Sequence, residues 1–413
     1  MTRSRDDILA ALKAGPLNQE AAAPRDVVKF ETLWSDPADG WAIASRAAAR
    51  AMHLAGVPVN LHEWKPLSDN LDDAVMGEVG HLLHPVLRGL RARELAGNVA
   101  DWPSADQALH VFSTTLGDFS SMDRHAIGPL LRMKRPIALY TTFERLTIEP
   151  ALGELLNRLD GMWVPCTSNL DTLKAAGVTN CTMIPFPFFP DDPHLRIPPV
   201  TGRRKFYWIG RWEPRKAPDR LVHAFLLAFK PGDATLTMKT SPIVWHGAWL
   251  TLDAVLAVAL DDPAVIANGW NRQNWRAGID VITGRLTVDE MVKLHADHDI
   301  YVSTSRGEGT DLPALQSKLA NRRLVTTDSG GPRDFLGEGD IMVPMKGAVP
   351  ADPMYMWGPG AAYADHSMND IVTALQSACS DTRKTINWPR EKFEAARVGM
   401  QFKVWTDRVK ARQ

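Results

Sequence analysis

The chain has little cysteine: three in 413 residues, at the well-separated positions Cys166, Cys181 and Cys379. No C-x-x-C pair occurs, so neither a disulfide framework nor a cysteine zinc site is indicated. Long apolar runs are lacking as well. No stretch reaches the roughly 18 apolar residues that a membrane-spanning helix needs, and the first residues hold no signal-like apolar core. A secreted or membrane-spanning protein is therefore not expected. The cytoplasm is the expected location, with a peripheral membrane contact left open. An excess of one charge is missing too: 47 Lys and Arg against 48 Asp and Glu leave a net charge of -1. No global field draws the chain to nucleic acid or to an anionic surface. No repeat period and no low-complexity tract stands out, and no obligate protein partner is evident.

What is present is an ordinary globular composition, 45% apolar and 23% charged, in a chain too long for one compact core. Two domains are the default expectation. Residues 1–25 read as a loosely attached tail. From Val27 the chain alternates between short apolar runs and amphipathic segments. Val27–Trp34 is strand-like, Trp41–Ala55 is an Ala-rich helix stopped by Gly56, and Val57–Leu61 is a second strand. This is a βαβ unit of a parallel sheet. Ala108–Phe112, Pro136–Tyr140, Gly161–Pro165 and Thr182–Ile184 continue as strands, with helices at Glu149–Leu159 and Leu170–Ala176. Six prolines between Pro185 and Pro199 read as a linker. Beyond it the rhythm restarts. Strands are expected at Lys205–Ile209, Thr235–Met238, Val281–Thr283, Ile300–Ser303 and Leu324–Thr327. Helices are expected at Pro218–Phe229, Val288–Ala296, Leu312–Ala320 and Glu391–Val409. The predicted fold is α/β, with two similar halves, 26–195 and 200–385, and a last segment, 386–413, returning to the first half. Ligands of such sheets bind where strands enter helices, at their carboxyl ends.

The most informative stretch is Ser303-Thr-Ser-Arg-Gly-Glu-Gly-Thr-Asp-Leu-Pro-Ala-Leu-Gln316. Glu308 sits between Gly307 and Gly309 in a strand-to-helix turn. The glycines would let the backbone approach a ligand, and the amides that follow suit an anionic or hydroxyl-rich partner. Capping of the next helix is the plain alternative. A second stretch, Tyr207-Trp-Ile-Gly-Arg-Trp-Glu-Pro-Arg-Lys216, is a strand running into a basic turn, and it continues as Pro218-Asp-Arg-Leu-Val-His-Ala-Phe225. A third, Ile282-Thr-Gly-Arg-Leu286, is a glycine turn after a strand. In the first half stand Tyr140-Thr-Thr-Phe-Glu144, Pro150, Leu156-Asn157, Asp160 and Trp163-Val-Pro165.

In this order the motifs resemble those of family 4 glycosyltransferases and their relatives. There a G-E-G-x-G-L-P-x-L-E run carries two glutamates eight positions apart, and a G-R-x-x-x-x-K-G run opens the second domain. The resemblance implies the GT-B fold, two Rossmann-like domains facing a central cleft. It also implies a metal-independent transfer, without a cofactor, from a UDP- or GDP-linked sugar to a hydroxyl acceptor, with retention of configuration. Glu308, Arg211, Lys216 and Glu144 would carry the chemistry. The two cations would hold the leaving diphosphate and Glu308 would stand beside the sugar. Gly40, Gly210, Gly284, Arg285, Leu286, Gly309, Thr310, Leu312 and Gln316 would line the donor site, and Asp39 would touch the acceptor. Four positions depart from the pattern: Gln316 replaces the second glutamate, Asp311 the second glycine of the first run, Ala217 the glycine after the lysine, and Cys166 the serine that usually follows Trp163-Val-Pro165. Asp311 would add bulk and charge where the sugar is expected. A glycan or lipid-linked glycan is the ordinary acceptor. A modified base of viral DNA is a further reading, kept alive by the clusters Arg88–Arg93 and Arg132–Arg135. A non-catalytic nucleotide- or glycan-binding scaffold is another.

Several residues read as structural. Asp297-His-Asp299 imitates a D-x-D metal motif but ends a helix, and His295 and His298 have no third ligand in the pattern. His81 and His84 read as ordinary helical residues. Trp270 and Trp275 read as core.

Overall fold

A computed structural model describes residues 28–32, 40–63, 108–116, 127–132, 136–199, 204–240, 251–351, 360–380 and 387–412. Asp39, His81, His84 and the Arg88–Arg93 cluster lie outside them. The first half runs β1 (Val28–Thr32), α1 (Gly40–Leu54), β2 (Val59–Glu63), β3 (Leu109–Thr115), α2 (Ile127–Leu131), β4 (Ile137–Thr142), α3 (Pro150–Leu156), β5 (Gly161–Val164), α4 (Thr167–Ala175) and β6 (Cys181–Met183). The strands form one sheet in the order β2-β1-β3-β4-β5-β6, every pair parallel. Parallel neighbours need crossovers, and the crossovers cover both faces. This is why β4 and β5 read as continuous apolar runs rather than as alternating ones. One face packs Phe30, Val111, Tyr140 and Trp163; the other packs Phe112, Leu139, Met162 and Val164 against Leu152 and Leu156 of α3.

The second half runs β7 (Lys205–Ile209), α5 (Pro218–Ala228), β8 (Thr235–Thr240), α6 (Leu252–Leu260), α7 (Pro263–Ala267), β9 (Ile279–Thr283), α8 (Val288–Asp297), β10 (Ile300–Ser303), α9 (Leu312–Leu319), β11 (Arg323–Thr327), β12 (Ile341–Val343), β13 (Met345–Pro350), β14 (Ala362–His366), α10 (Met368–Ser380) and α11 (Ala395–Lys410). Its sheet has the order β12-β11-β10-β7-β8-β9, again all parallel, and β13 and β14 pair apart from it as an antiparallel ribbon. The order reverses between β7 and β10. That is the switch point of a doubly wound sheet, where the loops at the strand ends diverge and leave room for a ligand. The sequence pattern does not announce α6, α7, α10 or β12–β14. For α6, Leu-Asp-Ala-Val-Leu-Ala-Val-Ala-Leu is apolar nearly all round, so a helical stripe is absent.

Among the described residues the chain crosses between the halves at two places. The proline-rich stretch is a packed strap rather than a loose spacer, because its aromatic residues are claimed by both cores. Phe188 belongs to the second core and Phe189 to the first. The return crossing lies beside it: Phe188 N–H donates to the Phe393 carbonyl at 2.9 Å, and Ala395 N–H to the Phe188 carbonyl at 2.9 Å. The final helix then packs on the first half. Trp405 and Phe402 meet the Trp163 ring edge-on at 4.7 and 5.3 Å. Burying a side chain such as Phe402 contributes about 1.5–3 kcal/mol. Gly399 is required here, since a Cβ would stand 2.4 Å from the Ala51 carbonyl oxygen of α1. The Ala-rich face of α1 is what lets the two helices come so close.

The residues read as structural take such places. His298 bridges the Leu294 carbonyl and Thr237 Oγ1, both at 2.8 Å, and Asp299 accepts from Lys205 N–H at 3.1 Å. His295 meets the Tyr207 hydroxyl at 2.7 Å, and burial holds its imidazole well below the usual histidine pKa. Trp270 is buried and donates from its indole to the Phe229 carbonyl at 2.6 Å.

Candidate functional site

Three loops at the carboxyl ends of strands meet at one place: residues 143–146 after β4, 210–217 after β7, and 304–311 after β10. The last two flank the switch point. A run of hydroxyl residues ties them together. Thr304 Oγ1 donates to the Ala217 carbonyl at 3.1 Å, and Ser305 Oγ to the Gly307 and Arg215 carbonyls at 3.0 and 3.3 Å. Ser329 Oγ, from the loop after β11, donates to the Ser305 carbonyl at 2.8 Å, and Glu308 N–H to the Ser329 carbonyl at 2.8 Å. Glu308 is therefore rigidly mounted.

The glycines beside it work differently from the sequence expectation. A Cβ on Gly307 would lie 2.1 Å from the Glu144 carbonyl oxygen, and one on Gly309 would lie 1.9 Å from Thr142 Oγ1. The absent side chains thus admit the first half, its backbone at Glu144 and its side chain at Thr142, not an open ligand space. Gly210 likewise leaves room for the Trp208 ring, 2.6 Å from where its Cβ would be.

The two departures that replace glycine share a conformation. Ala217 (φ 48) and Asp311 (φ 58) are both left-handed, a region that costs an L-residue roughly 1–2 kcal/mol. A short polar side chain such as aspartate tolerates it best. The Asp311 carboxylate is turned into the protein, against the expectation that it would crowd the sugar. It is 5% exposed and accepts from Ser303 Oγ at 2.7 Å.

Charged groups converge on this point. Lys216 Nζ lies 2.6 Å from Glu308 Oε1, with the two side chains 13% and 4% exposed. Arg215 Nη1 is 3.3 Å from the same oxygen and 2.7 Å from the Gly307 carbonyl oxygen; Arg215 Nη2 reaches Glu213 at 2.6 Å and Glu144 at 3.1 Å. Burial works to raise the Glu308 carboxyl, but the Lys216 and Arg215 cations bring it below its ordinary value. The Lys216 ammonium, depressed by burial, is raised on balance by Glu308. Glu144 is raised by burial against the pull of Arg215. Asp311 is pushed up to about 6 by burial and by the repulsion of Glu308. Groups of opposite tendency side by side mark candidate functional sites.

Of the predicted site residues, Glu308, Lys216 and Glu144 are brought together. Arg211 is exposed at the start of the same loop, two residues past the end of β7. Gly284, Arg285 and Leu286 form the turn after β9, and Gly284 needs its glycine for a φ of 102°. Arg285 stands near enough to Lys239, at the end of β8, to add to the lowering that burial imposes on that ammonium. Arg211, Lys239 and Arg285 so follow one another along the carboxyl edges of β7, β8 and β9. Gly40 opens α1 and faces across to Leu312, whose Cδ1 would lie 3.7 Å from a Cβ placed there. Leu312 opens α9, Gln316 stands midway along it and Thr310 lies just before it, all three half-buried. Sequence reasoning missed Arg215, Glu213 and Lys239. A signal existed for the first two, the Glu-Pro-Arg-Lys run, but nothing in it told which cation would turn inward.

No protein-family model matches the chain, and no curated protein matches it by sequence. Solved structures do match. Sucrose-phosphate synthase from Thermosynechococcus elongatus superposes with a TM-score of 0.60 at 14% identity, over 94% of this chain and 100% of that one. Trehalose-6-phosphate synthase, OtsA, gives 0.56 at 12%, over 92% and 97%. Anabaena Alr3699/HepE in complex with UDP-glucose gives 0.53 at 12%, over 92% and 98%. The class that fold and neighbours define is GT-B, the two-domain architecture of glycosyltransferases. At these identities the likeness extends to the fold, and the chemistry rests with the cluster around Glu308.

Proposed function

We propose that the chain is a glycosyltransferase that moves a sugar, a hexose in the first instance, from a UDP- or GDP-linked donor to a hydroxyl acceptor. The observation that carries this reading is the Lys216–Glu308 pair at 2.6 Å, mounted at the switch point of the second sheet and linked to Glu144 of the first half through Arg215. A diphosphate leaving group develops negative charge as the glycosidic bond breaks, and fixed cations stabilise it. Lys216 supplies one such cation from inside the site, and Arg211 a second from its exposed rim. Glu308, kept ionised by its neighbours, accepts hydrogen bonds from sugar hydroxyls. Transfer is metal-independent and retaining in this reading, without a cofactor. The donor lies on the second half, along Gly284, Arg285 and Leu286. The acceptor, a glycan or lipid-linked glycan, lies on the first half, near Asp39. Neighbours of the same fold that hold UDP-glucose support the donor class.

A panel of nucleotide sugars incubated with the protein and read by mass spectrometry tests this. One donor should be hydrolysed slowly, and Lys216→Ala, Arg211→Ala and Glu308→Ala should each lower the rate by about 100-fold or more, the scale of losing one transition-state contact. Binding of a nucleotide diphosphate without turnover of any donor would favour the non-catalytic scaffold.

A further inference from the structure

The cation most deeply engaged in the site is one that the motif pattern passes over. Arg215 is 5% exposed, and both of its terminal nitrogens are held. Its Nη1 joins the Gly307 carbonyl and Glu308, and its Nη2 joins Glu213 and Glu144. Its own carbonyl accepts from Arg306 N–H at 2.8 Å and from Ser305 Oγ at 3.3 Å. Glu144 comes from the first half, Glu213 from the loop after β7 and Glu308 from the loop after β10. One guanidinium thus reaches all three loops.

We infer that Arg215 is the positioning residue of this site: it sets the Glu308 carboxylate and binds Glu144 across the cleft, so that the site is assembled only while the halves are apposed. The inference rests on the glycosyltransferase reading for its kinetic arm alone. Three arguments support it. Arginine presents a flat fork of donors that can serve two acceptors on one edge and two on the other, whereas a lysine in its place could not hold that fan of partners. Its terminal nitrogens are occupied by protein acceptors, so it orients Glu308 rather than gripping a donor itself. The charge balance also depends on it. Glu144, Glu213 and Glu308 face Arg215 and Lys216, with Asp311 close behind. Without Arg215 four carboxyls would share Lys216, and burial would then drive protons onto them.

The test compares the full chain with its Arg215→Lys and Arg215→Gln variants. In Arg215→Lys, kcat for the donor that the wild type turns over should fall about 100-fold, the cost of a displaced reacting group, while KM stays within about threefold. In Arg215→Gln the acid limb of the kcat/KM profile should move to higher pH, because Glu308 loses a cation that keeps it ionised. A role confined to stability would lower the active fraction without moving that limb. Independently of activity, amide hydrogen exchange should quicken in 142–146 and in 305–309 together. If Arg215→Lys fails to fold, Glu144→Ala removes only the ion pair across the cleft and should quicken exchange in both segments. An unshifted acid limb, or exchange that rises on one side alone, overturns the inference. A wild type inert toward every donor overturns the functional reading instead, and the exchange arm then decides the role of Arg215.

Discussion

Lys216 and Glu308 should behave as one energetic unit, and the structure sets the scale. Their charged atoms lie 2.6 Å apart, with side chains 13% and 4% exposed, so salt and water screen them little. Lys216→Met removes the cation and leaves Glu308 with Arg215 at 3.3 Å, a guanidinium already shared with Glu213 and Glu144. Breaking a buried pair from one side costs about 3–5 kcal/mol. Glu308→Gln is different. It removes one carboxylate from a site with more carboxylates than cations, so both cations keep partners, and the cost should be about 1 kcal/mol. Once Glu308 is neutral the lysine is worth less, so the double variant should cost about 2 kcal/mol less than the sum of the two. Urea denaturation of the four proteins at pH 7 measures this cycle. The sign with pH follows from the lowered Glu308 carboxyl. Its contribution is present above the ordinary glutamate value of about 4.3 and is lost as pH falls through the lower folded value. The coupling should therefore survive at pH 5. Additivity within about 0.5 kcal/mol at pH 7 would refute the pairing.

Two further outcomes follow from neighbouring residues. Asp311 is raised to about 6, so its protonated form favours folding; that contribution is fully present below the unfolded value of about 3.9 and lost as pH rises through the folded one. Between pH 7 and pH 5 the wild type should gain about 1 kcal/mol relative to Asp311→Asn, and parallel stability curves would contradict the burial of this carboxyl. Gly309→Ala pushes a methyl into Thr142 across the cleft and should cost about 1–3 kcal/mol. Thr142→Ala in the same chain should recover part of that loss in thermal unfolding, and no recovery would show that the strain lies elsewhere.

The amino-acid sequence by itself determined the two runs of parallel strands, because strands buried on both faces leave unbroken apolar segments such as Ala138-Leu-Tyr140, with turn residues between them. It also singled out Glu308, by the glycines on either side of it at a strand end, and it offered Lys216 and Glu144 through the motifs in which they stand. Local pattern could not reach further, because proximity across the cleft depends on how two sheets face each other. Whether Arg211 or Arg215 turns inward, four residues apart on one loop, was decided by the carboxylates of other segments. Whether Gly307 and Gly309 admit a ligand or the first half was decided by Thr142 and the Glu144 carbonyl. The Asp311 side chain was turned inward by a left-handed backbone and by Ser303. The packing of the proline-rich strap needed the returning segment at Phe393, some 200 residues later in the chain, because a partner that distant leaves no mark on the periodicity of the residues it will touch.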